Sequence, residues 1–270
     1  MSIVPHPTTG AFLALTPFAL VVLFYVAMTG VHATGAAGNK LLPTLAEMFD
    51  AMTRYAFVPE KRTGKLLLWS DTAASLTRLA IAMAIASSSA LILGIALGTI
   101  PVIRSSFGAF IAALSMIPPM AVLPILFLTF GLGEASKIAL ITIGITPFLV
   151  RDLSFMLAAT PHEQIIKAQS LGASTLHYIL RIAIPQALPR LIDGLRLAIG
   201  PAFLFLISAE AIASEEGLGY RIFLVRRFLA MDVILPYVVW ITILAFVFDL
   251  VLKYVSVRLA PWNAQRGGSS

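Results

Sequence analysis

The sequence predicts an all-α membrane protein, and three observations carry that prediction. Of its 270 residues, 59% are hydrophobic and 12% charged, whereas soluble domains carry about 25% charged residues. Residues 79–103 and 105–133 contain no charged residue at all. No segment alternates apolar and polar residues in the manner of a barrel strand. In hydrocarbon every backbone group must be bonded within the protein, so the spans are read as helices.

Six spans are expected, at about 11–30, 74–100, 107–130, 136–157, 191–213 and 233–255. Each is long enough to cross about 30 Å of hydrocarbon at about 1.5 Å per residue. The first is free of charge and broken by Pro17; its apolar run is longer than a signal-peptide core, so it is read as a retained span. Asn39 to Met52 reads as a short amphipathic helix on the outer surface. Gly94 and Gly98 let a neighbouring helix approach closely, either within the subunit or at a homodimer seam. Pro118, Pro119 and Pro124 break the hydrogen-bond ladder of the third span, as a cavity lining or as a packing kink. Asp249 stands one turn from Lys253 in the sixth span, an i, i+4 pair. The chain divides into a first helix and outer loop (1–70), a core (71–262) and a tail (263–270).

Several function classes lack their residues. There is no cysteine, so disulfides and thiolate metal sites are excluded. Gly64-Lys65 is not a phosphate loop, because Leu66 follows the lysine and Pro59 stands where the first glycine belongs. No zinc spacing and no Gly-x-Ser-x-Gly elbow occurs, and His6, His32, His162 and His177 are scattered. The net charge of +6 is assigned to loops and lipid-facing positions, not to nucleic acid. Basic residues divide almost evenly between the two sides, so charge does not fix the orientation.

The longest polar-containing segment of the second half is residues 160–189, which reads as two short helices with a break. Thr160 is the expected N-cap, Pro161 the first helical residue and Glu163 the capping-box acid. Gly172 is expected to end the first helix in a left-handed conformation. Ser174 or Thr175 caps the second helix, and Pro185 ends or kinks it.

Gly172, nine residues, then Ile182-Ala183-Ile184-Pro185 resembles the EAA loop of the transmembrane subunits of binding-protein-dependent ABC importers. Leu171-Gly172-Ala173-Ser174, Pro185-Gln186-Ala187-Leu188-Pro189 and Gly194-Leu195-Arg196-Leu197-Ala198-Ile199-Gly200 resemble the nitrate/sulfonate/taurine branch. So do Ile117-Pro118-Pro119, Phe130-Gly131-Leu132-Gly133-Glu134, Glu210 and Gly217-Leu218-Gly219-Tyr220. The family's Glu-Ala-Ala is here Ile166-Lys167-Ala168, so its acid is absent.

The resemblance implies a type I importer permease fold in the bacterial inner membrane, with the 160–189 loop and both termini cytoplasmic. It implies a second permease copy, two cytoplasmic ATPase subunits that bind ATP and Mg, and a periplasmic binding protein. No cofactor is expected in this chain itself. Glu163, Lys167, Ala168, Leu171, Gly172, Ala173 and Pro185 are the candidate ATPase-coupling residues. Met116, Pro118, Pro119, Ser208 and Glu210 are the candidate translocation-pathway residues. Glu210 lies about 20 Å along a helix beyond Arg196 and is read as a gate residue or as a buried, paired acid. Arg221, Arg226 and Arg227 form a basic cluster in the outer loop, for an anionic substrate, for a binding protein or simply solvated. The alternative to an ABC permease is a secondary transporter or channel with no ATPase partner, which would show symmetric halves and intramembrane coupling acids.

Overall fold

A chain this apolar satisfies its backbone by forming helices, and helices are what the computed structural model contains. It describes residues 7–33, 42–61, 63–259 and 261. The elements are α1 (Pro7–Ala33), α2 (Leu45–Phe57), α3 (Leu67–Thr99), α4 (Pro101–Leu114), α5 (Pro119–Phe130), α6 (Glu134–Ala158), α7 (His162–Ser170) and α8 (Thr175–Tyr178). A π turn at Ile179–Ala183 leads into α9 (Ile184–Ala213), followed by α10 (Leu218–Arg226) and α11 (Met231–Leu259). His6, residues 39–41 and the tail 263–270 lie outside the described residues.

The core is α3 packed on α6, with α9 against both. Glycines set that spacing. A Cβ on Gly94 would stand 2.7 Å from the Leu153 Cβ, and one on Gly98 would stand 2.6 Å from the Leu157 Cβ. The pair therefore serves packing within the subunit, and the leucines fill the volume that the glycines leave. A Cβ on Gly144 would likewise run into the Phe205 ring of α9. Gly98→Val is expected to force α3 and α6 apart at a cost of about 1–3 kcal/mol. A lower melting temperature in detergent, absent in Gly108→Val, checks this; among the described residues Gly108 has only an Arg104 methylene near its Cβ position.

The expected spans need correction in two places, the third and the fifth. The third, 107–130, is a bent pair instead of one helix: α4 and α5 meet at 93°. Pro118 and Pro119 donate no hydrogen bond, and Pro118 takes an extended ψ of 116°, so the ladder stops. Pro124 lies inside α5, where it withdraws one donor without ending the helix; Pro17 likewise lies inside α1. The fifth span begins far earlier than 191, because Thr175–Ala213 is one long helical run through Pro185. Finally, four helices among the described residues are long and apolar enough to cross a membrane, five if the bent pair is one span. α1, of 27 residues, is a further apolar helix.

The amphipathic helix sits later than expected, at Leu45–Phe57. Thr44 and Glu47 close a capping box, with Glu47 N–H donating to Thr44 Oγ1 and Thr44 N–H to Glu47 Oε2. Its Ala51 and Ala56 are buried, and it packs on α11 and α3 instead of lying free on the surface. Tyr55 meets Tyr237 of α11 edge to face at 5.9 Å.

Candidate functional site

Two features occupy opposite ends of the α3–α6–α9 core. One is the loop between the end of α6 and the start of α9. The other is an ion network where α3 and α6 begin and α9 ends. Along α6 they stand about 37 Å apart.

In the loop, α7 ends in a complete Schellman motif. Gly172 N–H donates to Gln169 O at 2.9 Å and Ala173 N–H to Ala168 O at 3.0 Å. Gly172 has φ +82°, and among the described residues beyond its chain neighbours a Cβ placed on it would meet nothing within 4 Å. Ser174 then caps α8 by accepting from His177 N–H. The expected capping box at the other end of α7 does not form. Pro161 is itself the N-cap, extended at ψ 131°, so α7 starts at His162 and Thr160 falls out of register with Glu163. Ala168 faces inward and Ala173 is half-buried, while Glu163 and Lys167 are exposed. Leu171 is 88% exposed at the tip, with Ile166, Leu176 and Leu180 also exposed. Pro185 does not end the second helix; it is the second residue of α9.

At the other end, one face of α3 carries Asp71, Ser75 and Arg78, at i, i+4 and i+7, all buried. Arg78 Nη1 donates to Glu210 Oε1 at 2.7 Å and to Glu216 O at 2.9 Å. Its Nε and Nη2 grip Glu134, which also pairs with Lys137 at 2.8 Å. Glu210 is 0% exposed and accepts further bonds from Ser75 Oγ and from Gly219 N–H at 2.9 Å. Asp71 accepts from Arg221 Nε at 2.7 Å and from Gly217 N–H at 3.0 Å. Ser75 Oγ accepts from Leu218 N–H at 2.9 Å. The 214–217 connection is thereby clamped onto α3. Gly217 is required there: its φ is +131° and a Cβ would stand 2.5 Å from the Glu210 carboxyl carbon. At the rim, Lys65 pairs with Glu216 at 2.5 Å and holds that carboxyl below its usual range. A groove of about 430 Å³ opens between α3 and α6 here, bounded by Ser70, Thr77, Arg78, Glu134 and Glu216.

This geometry corrects two sequence readings and decides between two alternatives for a third. Arg221 is not part of a solvated basic cluster; it is buried against Asp71, and only Arg226 and Arg227 remain exposed. Asp249 pairs with Arg196 of α9 at 2.7 Å and not with Lys253, because a guanidinium fork engages both carboxylate oxygens. Glu210 takes the paired, buried arrangement. The pathway candidates do not converge. Met116, Pro118 and Pro119 lie at the α4–α5 corner, which Arg151 Nη1 ties to α6 by donating to Ser115 Oγ at 2.7 Å. Arg151 is about 26 Å along α6 from Glu134. Ser208 is near Glu210 in sequence but half-buried on another face of α9. Sequence reasoning missed Asp71, Ser75, Glu134–Lys137 and the pairing of Arg78. The signal was Arg78 itself, since a charge inside a span requires a partner.

Residues 90–262 match the family described as the binding-protein-dependent transport system inner membrane component. The chain belongs to this family. It is a multi-pass inner-membrane protein of the ABC permease type. It is 36% identical over 198 residues to the taurine transport system permease protein of Escherichia coli, covering 73% of this chain and 72% of that one. It is 29% identical to the bicarbonate transport system permease protein of Synechocystis, covering 82% and 81%. The putative aliphatic sulfonates transport permease protein of Escherichia coli is 29% identical over 57% of this chain and 58% of its own. In fold, the permease resembles an inward-facing structure of the methionine ABC transporter MetNI, with a TM-score of 0.60 at 18% identity, covering 69% of this chain and 93% of that chain.

Proposed function

We propose that this permease moves a small anionic or zwitterionic solute of the sulfonate, taurine or nitrate kind by ATP-driven alternating access. The projecting 160–189 loop carries the reading: a structured helix–turn–helix that presents an exposed Leu171 has its use in another subunit. That subunit is a cytoplasmic ATPase, which binds ATP and Mg; the permease performs no bond chemistry. Two permease copies embedded in lipid enclose the pathway, and no nucleic acid takes part. ATP binding favours one arrangement of the ATPase pair. The loop carries this preference to the spans and shifts the equilibrium between inward and outward openings. The printed names of the relatives support the solute class.

The test is uptake by proteoliposomes containing permease, ATPase and binding protein, with taurine, an alkanesulfonate, nitrate and bicarbonate offered in turn. Uptake of at least one, dependent on Mg-ATP, is expected. Uptake without the ATPase would overturn the reading.

The opposite end faces the periplasmic binding protein in this reading. There α10 is anchored by Arg221 and Val225, and it leaves Arg226, Arg227 and Phe228 exposed. Among the described residues neither arginine has a carboxylate partner; Arg226 stacks over Phe223 at 4.8 Å. Arg226→Glu combined with Arg227→Glu is expected to reduce stimulation of hydrolysis by the binding protein about tenfold or more. The effect should weaken as salt is raised, because exposed charges are screened. Unchanged stimulation would remove this surface from the contact.

A further inference from the structure

The coupling loop meets α9 through a stretch whose hydrogen-bond ladder is irregular. Between Ile179 and Ala183 the helix widens to a π turn, and Ile184 N–H donates to Ile179 O instead of to Leu180 O. The cause lies one residue on. Pro185 has no N–H for Arg181 O, and in a regular α-helix its ring would press on that carbonyl. An extra residue in the turn moves the carbonyl aside. Pro189, one turn further, withdraws a second donor, the one owed to Pro185 O. Two helix donors are thus missing within five residues, directly beside a register shift.

The same stretch is held firmly on one side only. Ala183, Ala187 and Pro189 are buried, and the turn packs on α3 as well as on α9. Leu180 and Arg181 on the other side are exposed. Helix above and below is continuous: α8 is capped by Ser174, and α9 runs on to Ala213.

We propose that residues 179–189 are the joint of the permease, at which the coupling loop pivots on α9, and that Pro185 and Pro189 are the positioning residues that keep this joint open. The inference rests on the reading of the loop as the ATPase contact. Tilt concentrates where the fewest backbone bonds oppose it, and hinges are of this kind. One added residue also turns everything N-terminal to it by about 100° relative to α9, so the π turn sets which face of the loop points outward.

The experiment restores the donors. Pro185→Ala combined with Pro189→Ala allows a regular ladder and should stiffen the joint. In the reconstituted complex the ATP hydrolysed per solute imported is expected to rise about fivefold or more. Pro201→Ala, in the same helix but exposed and three turns further on, should leave that ratio at the wild-type value. An unchanged ratio in the double variant, or an equal rise in Pro201→Ala, overturns the joint. Hydrogen exchange of the wild-type complex is a second measurement that needs no variant. The amides of residues 180–184 should exchange at least tenfold faster than those of 192–196, and equal protection overturns the proposal. Failure of the coupling reading itself would show differently, as a wild-type permease that does not co-purify with the ATPase.

Discussion

Arg78→Ala is expected to destabilise the permease more than any other single truncation. Glu210 is fully buried, and Arg78 is its only cationic partner among the described residues. Removing one member of a buried pair leaves an uncompensated charge and costs about 3–5 kcal/mol. Ser75 and the Gly219 N–H would still donate to Glu210, so the loss falls short of a bare buried carboxylate. Glu134 suffers less, because it keeps Lys137 and is half open to water. The melting temperature in detergent should therefore fall sharply, and the yield of dispersed protein with it. Arg78→Met combined with Glu210→Gln removes both charges at nearly constant volume, and should recover stability to within about 1–2 kcal/mol of wild type. A double variant as unstable as Arg78→Ala would show that the charges are not what makes the site sensitive. Uptake by the double variant should remain several-fold low, since Arg78 joins α3, α6 and α9 to the 214–217 connection. In the proposed alternating access, the expected loss of uptake takes these segments to shift against one another. Wild-type uptake would confine the network to architecture.

This network marks the boundary of what the sequence discloses. Caps, tight turns and close-packing glycines are written locally. The Schellman turn at Gly172, the Ser174 cap and the small-residue pair Gly94 and Gly98 each need only a few neighbouring residues to specify them, and each is found as read. The pairs Asp71–Arg221 and Arg78–Glu210 join residues 150 and 132 positions apart. No periodicity points from one member to the other. The local partner can even mislead: Lys253 is one turn from Asp249, yet the bidentate geometry of Arg196 wins across the helix interface. Proline misleads in the same way, because its effect depends on what can accommodate it. Pro118 and Pro119 together turn the chain by 93° at a corner. Pro185 is absorbed by a π turn, and Pro124 by an exposed helix face.

Gly172→Val is expected to leave the permease in the membrane and to weaken ATPase association tenfold or more. The two effects separate because of what surrounds the residue. At φ +82° a β-branched side chain is strained by about 1–2 kcal/mol, and among the described residues nothing beyond the chain neighbours lies within 4 Å of the Cβ position to add to that. A cost of that size, confined to an exposed tip, does not unfold packed spans. A partner groove that closes over the turn would meet the new methyl groups directly. Gly172→Asn divides the two causes, because asparagine accepts the left-handed conformation but still projects a side chain. If clearance matters, Gly172→Asn loses association too; if only the backbone matters, it keeps it. Leu171→Asp tests the neighbouring contact without touching the turn. Leu171 is exposed in the free chain, so the aspartate costs the fold little, but in the complex it would be an unpaired charge against an apolar surface. The measurement is co-purification of the ATPase, together with its hydrolysis in liposomes when substrate and binding protein are supplied. Should Gly172→Val and Leu171→Asp both retain wild-type association and stimulation, the 160–189 loop is not the transmission element. The ATPase contact would then have to be sought on the α4–α5 corner, where Met116 is 75% exposed and Arg151 already ties the turn to α6.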